Sequence, residues 1–86
     1  MREVPIKDLI KVFQPGSGDE EWSWSEELEA LSRTLWFHEL VDDIRENGVK
    51  EPVLLGADGR VWDGHHRILA SWYAGKSIIP VVFSGE

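Results

Sequence analysis

The chain contains no cysteine, which removes disulfides, thiolate nucleophiles and cysteine metal ligands together. The usual inference is a reducing compartment, so a cytoplasmic location is expected. No apolar run approaches the roughly 20 residues that cross a bilayer. The opening stretch from Met1 through Val4, Pro5, Ile6 and Lys7 to Asp8 also lacks a signal peptide's apolar core. No membrane role is expected.

Positive charge is also scarce. Nine Lys and Arg stand against 16 Asp and Glu, a net charge of -7 over 86 residues. The cations are scattered and form no run, and the excess of carboxylates repels a phosphate backbone, which disfavours direct DNA binding. What is plentiful is tryptophan: five of them in a chain that is 42% hydrophobic. The length fits one domain over residues 1–86. A core this small is thin unless its aromatics bury well or a partner covers them.

Val4, Pro5 and Ile6 read as a short strand, followed by a single turn near Asp8 to Ile10. Pro15, Gly16, Ser17 and Gly18 mark a mobile loop near 14–22, which offers little apolar area to offset its ordering. Ser23 and Glu26 have capping-box spacing, and Leu28, Leu31 and Leu35 then recur at helical intervals, which predicts a helix over 24–33. Phe37, Leu40, Val41 and Ile44 predict a second helix over 36–47, stopped at Gly48. Residues 52–55 and 60–62 read as the arms of a hairpin turning at Asp58-Gly59. A third helix starts after Asp63 and stops at Gly75, and residues 78–83 form a closing strand in which Pro80 requires an edge, a bulge or the strand's start. The fold class is α+β, a small mixed sheet with about three helices.

The most informative segment is Val61-Trp62-Asp63-Gly64-His65-His66-Arg67, where a strand turns sharply into a helix. Free amides at a helix start attract an anion, Gly64 lets a ligand approach the backbone, and Asp63 can cap the helix. Arg67 offers a bidentate fork to phosphate or carboxylate, while His65 and His66 supply donors or stacking faces. The plainer reading is a structural turn with Arg67 paired to Asp43 or Glu51. Asp63 as a metal ligand or general base, and a metal site of His38, His65 or His66 with Asp63, are further readings, although neighbouring histidines on a helix face different ways. Trp22 and Trp24 border the polar loop and are candidates either to anchor a partner or to enter the core. Trp36, Trp62 and Trp72 sit on periodic apolar faces and are expected inside.

Three blocks in order resemble the ParB/sulfiredoxin-like (ParB N-terminal, or ParB-like nuclease) domain family. They are Val4-Pro5-Ile6-Lys7-Asp8-Leu9-Ile10, then Leu40 to Leu55 with Ile44-Arg45-Glu46-Asn47-Gly48-Val49, and then Asp58 to Phe83 with Gly64-His65-His66-Arg67 and Ile79-Pro80-Val81. The resemblance implies a module that binds CTP or ATP, with Gly64, His65, His66 and Arg67 against the phosphates. Sulfiredoxin's catalytic cysteine corresponds to His65, so its repair reaction is excluded. Asp43 and Glu39 fall where relatives often place hydroxyl residues near phosphate, and carboxylates there repel phosphate unless Mg²⁺ intervenes. Three functions remain open. One is a nucleotide-binding module with a regulatory role. Another is a small acidic interaction protein of phage or plasmid accessory type, docking on a host or partner protein through exposed Trp22 and Trp24, with a vestigial pocket. The last is a metal-assisted nuclease or phosphotransferase using Asp43, Asp63 and Glu39.

Overall fold

The computed structural model describes residues 2–13 and 23–84. The expected loop near 14–22, including Trp22, lies outside the described residues. Strand β1, Arg2–Pro5, runs directly into helix α1, Ile6–Val12. Pro5 ends the strand and serves as N-cap, since its fixed φ suits a helix entry. The single turn expected at Asp8 is thus a two-turn helix, which buries Ile6 and Leu9 three residues apart.

Helix α2, Trp24–Leu31, begins with the capping box: the Glu26 amide donates to Ser23 Oγ at 3.2 Å, and the Ser23 amide donates to Glu26 Oε1 at 3.3 Å. Helix α3, Leu35–Asn47, buries Phe37, Val41 and Ile44 along one stripe. It stops at Gly48, whose φ of 76° is open to glycine and whose amide donates to the Ile44 carbonyl at 2.8 Å.

Strands β2, Val53–Leu55, and β3, Val61–Asp63, form the expected antiparallel hairpin. Asp58 holds its turn by accepting from the Arg60 amide and from Trp62 Nε1. Leu54 pairs with Asp63 and Leu55 with Val61, so Trp62 is skipped in a bulge. Helix α4, His65–Tyr73, then returns the chain to strand β4, Ile78–Phe83. The sheet order is β1-β4-β2-β3, with β4 antiparallel to β1 and parallel to β2. Pro80 therefore lies on an interior strand. It pairs with Glu3 of β1, while the β2 pairing begins only at Val81, so beside Pro80 the strand has a neighbour on one side alone.

Among the described residues the fold is a small α+β unit with a mixed four-stranded sheet and four helices. Its core joins Phe37 and Val41 of α3, Ile68 and Leu69 of α4, and Val53 and Ile79 of the sheet. Three of the tryptophans expected in it lie outside: Trp36, Trp62 and Trp72 are 47%, 56% and 40% exposed. Each stands one residue away from a position that is buried: Phe37 takes the inward place on α3, Val61 on β3 and Ser71 on α4. Trp24 is the reverse case. It is buried, with its indole N–H donating to the Phe13 carbonyl at 2.7 Å, so it does not serve as the exposed partner anchor. No helix among the described residues is long and apolar enough to cross a membrane.

Candidate functional site

The β3-to-α4 junction is built around Gly64, which occupies the N-cap position at φ 102°. A side chain there is strained by the backbone, and its Cβ would lie 2.8 Å from Arg67 Nη2 and 3.1 Å from Val53 Cγ2. Asp63 is one residue too early to cap. It ends β3, no side chain among the described residues caps α4, and the Asp63 carboxylate lies 3.6 Å from Arg67 Nη2 instead. The first amides of α4 consequently have neither an intrahelical partner nor a side-chain cap.

Arg67 packs behind this turn. Its Nη2 donates to the Pro52 carbonyl at 3.3 Å and its Nη1 lies 3.8 Å from Glu51, which ties the entrance of β2 to the start of α4. Its Nε is buried and has no hydrogen-bond partner among the described residues. Of the two structural partners expected for Arg67, Glu51 is present. Asp43 is exposed on α3 and accepts from Asn47 Nδ2 at 2.9 Å.

The histidines join a second set of groups. The His65 and His66 rings lie 4.0 Å apart between centroids, and His65 Nε2 is 4.0 Å from Glu27 Oε2, a carboxylate that α2 brings almost fully under cover. Trp36 meets His66 edge-on at 5.0 Å. Partial burial and the neighbouring His65 together hold the His66 pKa below its ordinary value near 6.5, with Glu27 opposing them. A histidine harder to protonate when folded lets the unfolded chain take the proton first. Stability should therefore fall as pH drops from about 6.5 toward the lowered folded value. In urea unfolding compared at about pH 7.5 and about pH 5.5, His66→Gln should flatten this dependence, and an unchanged slope would assign it to other groups.

The junction thus brings together Gly64, His65, His66, Arg67 and Asp63, whereas Asp43 is engaged elsewhere on α3. Glu27 was not anticipated as part of it. The signal was present in the sequence, because Trp24, Glu27 and Leu31 fall on one helical stripe and a carboxylate in an apolar stripe needs a partner. Among the described residues no three His, Asp or Glu side chains gather to hold a metal ion, so Asp43, Asp63 and Glu39 form no cage. No family model matches this sequence, and no curated protein is significantly similar to it.

Proposed function

We propose that the chain is a ParB/sulfiredoxin-like nucleotide-binding module, with a regulatory role, that takes the phosphates of CTP or ATP at residues 64–67. The observation that carries this reading is the uncapped start of α4 behind a left-handed glycine, backed by a guanidinium whose Nε has no partner. Unsatisfied helix-start amides are ready anion donors, and an arginine behind them adds positive potential. The resemblance of the three sequence blocks supplies the nucleotide as the anion, and His65 and His66 offer donors and a ring face beside it.

Glu51, Asp63 and Glu27 ring the turn, so a bare triphosphate meets repulsion there. With no protein cage for a metal among the described residues, Mg²⁺ in this reading arrives on the phosphates and offsets Asp63. The carboxylate to relieve is then Asp63 rather than Asp43. Titration of ATP, CTP, ADP and GTP with and without Mg²⁺ tests the proposal. Arg67→Ala should weaken binding by ~1.5–3 kcal/mol, the scale of a charged hydrogen bond, with the fold checked by circular dichroism because Pro52 loses its donor too. Asp63→Asn should relax the need for Mg²⁺, and Asp43→Ser should leave it unchanged. Absence of binding by folded wild-type protein at millimolar nucleotide with Mg²⁺ would end this reading.

A further inference from the structure

Of the three exposed tryptophans, Trp36 turns one edge to His66 and leaves the rest of its surface outside the nucleotide reading. Trp36 and Tyr73 are each 47% exposed, and both rest edge-on against the buried Phe37, at 6.3 and 5.9 Å between ring centroids. Leu35, 75% exposed, adjoins Trp36 at the start of α3. Trp36 from α3 and Tyr73 from α4 thus flank the buried Phe37 as an aromatic ridge broken at its centre. Exposed Trp and Tyr grouped in this way are the residues that dominate protein docking sites.

From Trp36 the solvent face of α3 continues through Glu39, Asp43 and Glu46, at steps of three, four and three residues that keep them in one line. All four are exposed. Among the described residues, no cation lies within ion-pair distance of Glu39, Asp43 or Glu46. Asp43 accepts only from Asn47, and Arg45 on the same helix is committed to Asp42 at 3.3 Å. An aromatic ridge leading into an uncompensated acidic stripe has a specific complement. Arg or Lys side chains stack on Trp and Tyr faces and also pair with carboxylates, whereas nucleic acid is repelled by this stripe and by the chain's net charge of -7.

We propose that the Trp36–Tyr73 ridge and the Glu39, Asp43 and Glu46 stripe together dock a Lys/Arg-rich segment of a partner protein. The inference does not rest on nucleotide binding, although Trp36 touches His66 of the β3–α4 junction. It moves the docking role from Trp24, which is buried, to Trp36.

A fluorescently labelled Lys/Arg-rich peptide of about twelve residues, spanning some three turns of α3 if helical, is a suitable probe, with an Asp/Glu-rich peptide of equal length as control. Polarisation should show binding of the basic peptide alone, weakened as salt is raised. Trp36→Ala should weaken it about 5- to 30-fold, the range expected for loss of a cation–π contact that is partly desolvated. Asp43→Lys should weaken it at least as much, while Glu3→Lys, the same charge change on exposed β1, should leave it near wild type. All three substitutions are at exposed positions, and circular dichroism verifies the fold. The proposal is overturned if the basic peptide fails to bind at low salt, or if Glu3→Lys weakens binding as much as Asp43→Lys, which would reduce the effect to net charge. Sedimentation that shows a dimer abolished by Trp36→Ala would also overturn it, by assigning the ridge to a second copy of the chain.

Discussion

Phe37→Ala is expected to destabilise the protein by about 3–5 kcal/mol, the range for deleting a fully buried phenylalanine ring. Phe37 has no exposed surface and is the shared support for Trp36, His38 and Tyr73, whose rings all meet it edge-on. Its removal opens a cavity where α3 packs on α4 and also releases the rings above. Small domains are stable by only about 5–15 kcal/mol, so much of the total would disappear. Urea unfolding followed by tryptophan fluorescence measures this directly, and near-ultraviolet circular dichroism should lose aromatic signal in parallel. A loss below about 1 kcal/mol would mean that the α3–α4 packing is not as described.

Gly64→Val should cost about 2–4 kcal/mol, for two separate reasons. A β-branched residue is forced into the left-handed region at φ 102°, and its Cβ falls on the Arg67 guanidinium and on Val53. Gly64→Ala provides the contrast, because it meets the same left-handed backbone with a smaller side chain. Matched denaturation curves should therefore rank Gly64→Val as the more damaging of the two. Equal losses would mean that Arg67 and Val53 do not crowd the turn.

Local chemistry made much of this fold legible in the sequence. The Ser23–Glu26 capping box, the Gly48 stop and the Asp58-Gly59 reversal each depend on residues within four positions of one another, and each is found where the sequence places it. The interior position of β4 was not legible, because strand order depends on pairing between distant segments such as Arg2 with Val81. The tryptophans went astray for a different reason. Helical periodicity identifies an apolar stripe but not which of two adjacent residues faces inward, and at Trp36-Phe37 the core took the phenylalanine. At the junction, Asp63 and Gly64 competed for the cap. Side-chain preference favours Asp, yet the sharp turn out of β3 requires positive φ, and glycine takes the position. Helix spacing puts Glu27 on the inward stripe of α2, but its meeting with His65 depends on how α2 seats on α4, which spacing alone does not encode.

Receipt of a nucleotide's phosphates at the start of α4 can be followed through the amide chemical shifts of the uniformly ¹⁵N-labelled protein during titration with CTP or ATP in the presence of Mg²⁺. Saturable shifts are expected, largest at Gly64, His65, His66 and Arg67, with the Trp36 indole N–H responding through its contact with His66. Inorganic triphosphate should shift the same four amides. No shift at millimolar nucleotide, or shifts confined to residues away from the β3–α4 junction, would contradict it.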